Sequence, residues 1–296
     1  MKPGLSFLSI SAIAAALILF SCRAAPQTDS QPASAAQEKP QAYFGFDRNV
    51  FPGNDALPVL RKTFAFSSYW LSPPPGEKNN TWIGNGQREA LRSQGFGFLL
   101  LYRGPESREL KSGAAAAEKG TADARDAASV AKREGFPAQA IIFLDIEEGG
   151  RLPAPYHSYL RAWSKALAEA GFHSGAYCSG IPVKEGPSVT IATADDIRAH
   201  APFQDFAFFV YNDACPPSPG CTFPPTPPLP ATSGIPYATI WQYAQSPGRM
   251  EFTAHCAPGY HTDGNCYAPG DTSHAWFLDV NSATTPDPSN AAGATK

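Results

Sequence analysis

Asp145 and Glu147 stand two residues apart at the end of an apolar run, Ala140-Ile141-Ile142-Phe143-Leu144. On a strand, residues i and i+2 project from the same face, so both carboxylates would share one surface. Two carboxyls held close cannot both ionise easily; one pKa rises, and that group can serve as a general acid. Cleavage of a glycosidic bond uses such a pair, one group protonating the leaving oxygen and the other supporting the cationic sugar ring. Glu148 falls on the opposite strand face and reads as a surface or helix-facing acid, so Glu148→Gln is expected to change little.

Acids and aromatics gather at other strand-like ends too. Asp47 closes Tyr43-Phe44-Gly45-Phe46, the last strand-like run ends in Asp279-Val280-Asn281, and two further runs carry Tyr211-Asn212-Asp213 and Trp241-Gln242-Tyr243. Asp47 and Asp279 could hold sugar hydroxyls or tune the pair, although Asp is also frequent as a turn cap. Trp241, Tyr243, Tyr177 and Tyr211 are candidate sugar-stacking platforms, against the ordinary use of strand aromatics as core. Arg103 is a candidate rim contact or a plain surface charge. Other chemistries find little support. There is no Gly-x-Ser-x-Gly elbow and no Gly-x-x-x-x-Gly-Lys loop. The six histidines show no metal spacing, and His157 and His200 read as helix-surface residues. Neither a metal nor a cofactor is expected.

The elements that must position these groups alternate. Strand candidates cover residues 43–47, 63–70, 97–103, 140–147, 174–179, 206–211, 239–243 and 275–280. Their near-continuous apolar character suits strands covered on both faces, as in parallel sheets. Residues 85–94, 122–135 and 155–171 have helical composition, the last starting at prolines and stopping at Gly171. Eight strands separated by helices over about 240 residues predict an α/β, TIM-like (β/α) barrel rather than an open sheet. Few helical segments separate the last three strands, so the outer ring is expected to be incomplete there. In such barrels the chemistry sits at the C-terminal strand ends, where these acids and aromatics fall.

At 296 residues, 43% apolar, the chain can bury one large core or two modest ones, and length alone does not force a division. A net charge of −3, with scattered Lys and Arg, gives no footprint for nucleic acid. Lys2 followed by an apolar run from Leu5 to Phe20 reads as an export signal, too short for a bilayer span. Leu19-Phe20-Ser21-Cys22 resembles a bacterial lipoprotein box, which makes Cys22 a candidate for lipidation and a membrane anchor; an ordinary cleaved secretory signal is the other reading. The expected organisation is a signal over residues 1–22, a tether rich in Ala, Gln, Pro and Ser over 23–41, a barrel over 42–283 and a disordered tail over 284–296. Cys215 and Cys221 lie in one loop, Cys256 and Cys266 in another; outside the cytosol such cysteines pair, and the two local pairings are favoured because each closes a short loop. A zinc site drawing on His255 or His261 is the rival, without a close Cys-x-x-Cys pair. Cys178, in an apolar run, reads as a buried free thiol.

Taken in order, Gly45-Phe46-Asp47, Phe143-Leu144-Asp145-Ile146-Glu147, Ile240-Trp241-Gln242-Tyr243 and Leu278-Asp279-Val280-Asn281 resemble the motifs of glycoside hydrolase family 25, the Chalaropsis-type lysozymes. The resemblance is nearest to their exported "glycoside hydrolase-like" branch and spans roughly residues 43–282. It implies Glu147 as proton donor and Asp145 as its assistant, helping to hold Glu147 protonated and orienting a substrate 2-acetamido group as nucleophile. Cell-wall glycan, peptidoglycan above all, is then the expected partner. A barrel that binds glycan or serves the wall without catalysis is the alternative, since fold does not fix activity.

Overall fold

The computed structural model describes residues 41–200, 205–212, 224–246 and 263–293. Eight strands close into a barrel: β1 (Tyr43–Asp47), β2 (Phe66–Trp70), β3 (Gly97–Arg103), β4 (Ile141–Asp145), β5 (His173–Ser179), β8 (Ala207–Tyr211), β9 (Ile240–Ala244) and β10 (Asp279–Ala283). Two short strands, β6 (Val183–Lys184) and β7 (Thr190–Ile191), form a separate antiparallel ribbon. Around the barrel lie α1 (Leu57–Leu60), α2 (Gln87–Ser93), α3 (Gly113–Arg133), α4 (Ala154–Glu169) and α5 (Thr193–His200). Between β8 and β9 the described residues hold only a 3-10 turn, Pro230–Ser233.

Neighbouring strands from β1 through β9 run parallel, whereas β10 is antiparallel to both β9 and β1. The last strand was expected to end near Asp279; it starts there instead. Because β10 is reversed, its first residue lies beside the last residue of β1, Asp279 opposite Asp47, and the acid still reaches the mouth.

Alternation along the strands divides the lumen into two layers. In the lower layer Phe66 and Phe143 fill the barrel, each against a glycine. A Cβ on Gly45 would stand 2.1 Å from the Phe66 ring, and one on Gly175 would stand 2.6 Å from the Phe143 ring. Two residues further along the same strands the layer turns polar, with Asp47, Asp145 and Tyr177.

Residues 284–293 correct the expectation of a disordered tail. They wedge between the starts of β3 and β4, where ladder pairing has not yet begun. Ser289 N–H donates to Phe98 O (2.9 Å) and Ile141 N–H donates to Ser289 O (2.8 Å). Asp287 Oδ1 accepts from Phe98 N–H (2.9 Å), its Oδ2 from Ala292 N–H (2.9 Å), and Ser289 Oγ from Leu100 N–H (2.8 Å). The short polar residues that suggested disorder are the ones that satisfy backbone groups here.

Candidate active site

Asp145 is the last residue of β4 and is buried. After it, Ile146 N–H still bonds Tyr177 O (2.9 Å), then the chain leaves the barrel and Glu147 is exposed. The pair is thus one strand residue and one loop residue, yet both line the same recess of about 340 Å³ at the barrel mouth, together with Asp47, Tyr177, Gln242 and Asp279.

Burial, then the charges of Glu147 and Asp47, push the Asp145 carboxyl well above the usual carboxylate range, against the opposing influence of Arg103 on the neighbouring strand. Of the two acids, Asp145 is the one whose pKa is raised. Burial is the largest cause, and it acts on the deeper group. No described residue hydrogen-bonds the Asp145 carboxylate. Asp47 is also buried and is pushed up to about 6; hydrogen bonds from Asn281 and Gln242 partly counter the effect of burial. Its Oδ2 accepts from Asn281 Nδ2 (2.8 Å) and Gln242 Nε2 (3.0 Å). Gln242 Oε1 in turn accepts from Tyr177 O–H (2.7 Å) and from Gln245 Nε2 (2.8 Å). Burial keeps the Tyr177 hydroxyl protonated and so a donor. Asp279 accepts a hydrogen bond from the Ser246 backbone N–H.

The remaining sequence candidates divide. Tyr211 stands behind Glu147, its ring 5.3 Å from Tyr177 and its hydroxyl 3.4 Å from the Glu147 carbonyl. Arg103 is exposed and lines a second recess, about 590 Å³, with Glu147 and Glu148. Trp241 and Tyr243 do not join the site. Alternation aims Gln242 into the lumen and its two neighbours outward, where each is 1% exposed; Trp241 Nε1–H bonds Asn212 O (3.1 Å). Glu148 is no surface acid either: half-buried, it accepts from both the backbone N–H and the hydroxyl of Ser107. It anchors the 3-10 turn at Ser107–Glu109, so Glu148→Gln is not a silent control. His157 is buried rather than on a helix surface. Cys178 is a buried free thiol. Cys22, Cys215, Cys221, Cys256 and Asp213 lie outside the described residues, and with them both proposed disulfide pairings and the alternative zinc set.

Sequence reasoning missed several mouth residues. Trp70, at the end of β2, lines the central recess and could have been found by the strand-end rule that found Asp47. Arg48 and Phe277 line a third recess of about 800 Å³, the guanidinium 5.2 Å from the ring centroid, and Phe277 is 43% exposed. Neither lies in a strand, and no motif marks them. All three recesses are lined by Glu147, which makes them one groove crossing the mouth.

The chain is a closed α/β barrel with buried acids at one mouth. Residues 70–206 match the family model described as Rv2525c-like, glycoside hydrolase-like domain, the branch that the motifs indicated. Among solved structures, an uncharacterized B. stearothermophilus protein is similar with TM-score 0.51 at 19% identity, over 81% of this chain and 94% of that one. The Mycobacterium tuberculosis Tat-secreted protein Rv2525c, crystallised with HEPES, gives 0.49 at 16% identity, over 85% and 98%. The Clostridium perfringens spore cortex lytic enzyme SleM gives 0.44 at 14%, over 84% and 69%. No curated protein matches the sequence.

Proposed function

We propose that the chain is an exported glycosidase that cleaves cell-wall glycan, with Asp145 and Glu147 as its acid pair. The observation that carries this reading is the convergence of both carboxylates, one with a strongly raised pKa, on a groove open beyond each side of Glu147. A groove rather than a closed pocket suits a polymer. The raised pKa of Asp145 makes it the reservoir of the proton. As a bound sugar excludes water from Glu147, the proton passes to Glu147, which delivers it to the leaving glycosidic oxygen. Asp145 then faces the developing positive charge as a carboxylate. Asp47, fixed by Gln242 and Asn281, faces the pair from across the barrel mouth. Peptidoglycan is the substrate that the resemblance favours. The 2-acetamido group of a bound sugar would serve as nucleophile, oriented by Asp145.

The test is reducing-end release from purified peptidoglycan by wild type and Glu147→Gln. General acid catalysis is worth about 10²–10⁴-fold, so the variant should lose turnover on that scale while glycan affinity persists. Glu89→Gln, in an exposed pair with Arg92, replaces Glu148→Gln as the silent control. Equal release by wild type and Glu147→Gln defeats the proposal; binding without release by either leaves a glycan-binding barrel. For the N-terminus we propose export through residues 1–22 and lipidation at Cys22. Cys22→Ser should then move the protein from the membrane fraction to the soluble exported one, and unchanged retention rejects the anchor. We also propose local pairing of Cys215 with Cys221 and Cys256 with Cys266, which non-reducing peptide mapping should recover.

A further inference from the structure

Away from the mouth, α4 and α5 bring two histidines onto one buried carboxylate. His157 lies on α4; Asp196 and His200 lie one turn apart on α5. One ring nitrogen of each histidine and a carboxylate oxygen of Asp196 lie within 4.8 Å of one another. The imidazoles stack with centroids 4.0 Å apart. His157 Nε2 is 3.2 Å from Asp196 Oδ2. Charge-assisted hydrogen bonds are shorter, about 2.7–2.9 Å. Ligands of a tetrahedral zinc, each about 2.0–2.1 Å from the metal, stand about 3.3–3.4 Å apart, close to what is found.

The Asp196 carboxylate is also oversupplied with donors. It already accepts from Leu152 N–H (2.9 Å) and lies 3.4 Å from Arg151 Nη1, before either histidine is counted. The His157 side chain is 9% exposed. His200 Nδ1 lies 2.8 Å from the Asp196 backbone carbonyl, the kind of outer bond that orients a metal-bound histidine.

We propose that His157, Asp196 and His200 form a binding site for a divalent transition metal, with zinc the best match to two imidazoles and one carboxylate. His200, 43% exposed on its side chain, leaves an entry path and a fourth position for water. Arg151 remains in the outer sphere through its bond to Glu185 (3.1 Å). The metal clamps α4 to α5. The Thr193 hydroxyl, on α5, bonds Glu148 O (3.1 Å) and Gly150 O (2.9 Å), and Leu152 N–H bonds Asp196, so the clamp also braces the loop that follows Glu147.

The experiment is a calorimetric titration of the full chain with zinc chloride, beside thermal unfolding with and without the ion and a cobalt(II) visible spectrum. One equivalent should bind, raise Tm and give the d–d absorption of a four-coordinate ion. His200→Gln, at a partly exposed position, should fold normally, weaken binding by more than about tenfold and abolish the rise in Tm. His157→Gln should do the same. Absence of saturable zinc uptake overturns the proposal, as does binding of equal strength in the wild type and both variants.

Discussion

The two ends of the barrel use the same residue type for opposite purposes. At the bottom, both Asp287 oxygens are spent on backbone N–H groups, and with Ser289 it stitches the C-terminal segment between β3 and β4. At the mouth, Asp145 is buried without a donor from the described residues, and burial with two neighbouring acids drives its pKa up. A carboxylate satisfied by amides contributes stability; one left unsatisfied in a cavity keeps a proton it can give away. This matches the division of labour in α/β barrels, stability at the N-terminal strand ends and chemistry at the C-terminal ones.

Substitutions at the two ends should therefore separate activity from stability. The largest effect is expected from Asp145→Asn: turnover should fall about 10²–10⁴-fold, with no loss of urea resistance at neutral pH. A variant that unfolds more easily would place Asp145 among the structural acids. Next comes Asp47, pushed from 3.8 up to about 6. A raised folded-state pKa contributes stability that is fully present below 3.8 and lost as pH rises through about 6. The loss is on the order of 3 kcal/mol. Asp47→Asn keeps an acceptor for Gln242 and Asn281, so unfolding in urea from pH 4 to 7 should show a flatter decline than in wild type; an unchanged slope would contradict the assignment. Asp287→Ala leaves two N–H groups without their acceptor and should cost about 1–3 kcal/mol of stability, with glycan release unchanged below the unfolding range. The smallest effect is expected inside the mouth network: Tyr177→Phe removes the 2.7 Å bond to Gln242 and about 1 kcal/mol. Trp241→Phe, outside the lumen, should leave KM for glycan unaltered, and a raised KM would return it to the site.

Much of the barrel was legible because burial on both faces writes apolar runs directly into the sequence. The order of Asp47, Asp145, Gln242 and Asp279 along those runs found most of the mouth. The strand-end rule failed where the chain reverses. It tolerated β10 only because an antiparallel strand that starts at the mouth presents its first residue there. Alternation was legible for Asp145 but misassigned Trp241 and Tyr243, since a run buried on both faces does not say which face is the lumen. The start of α3 was missed by nine residues because Gly113 and Gly120 carry low helix propensity, which packing against α4 overrides. Glu148 was misread because its partner, Ser107, is far away in sequence. The tail's Asp and Ser look the same whether they solvate a loop or cap a ladder.

If the mouth acids cut peptidoglycan as proposed, each cut leaves a new reducing end on muramic acid. Borohydride reduction of the ends released from purified peptidoglycan, followed by hydrolysis and amino-sugar analysis, tests it most directly. Wild type should yield reduced muramic acid, and the Asp145→Asn, Glu147→Gln double variant none. Reduced glucosamine in its place, or equal ends from both proteins, would rule out the acid pair as a muramidase site.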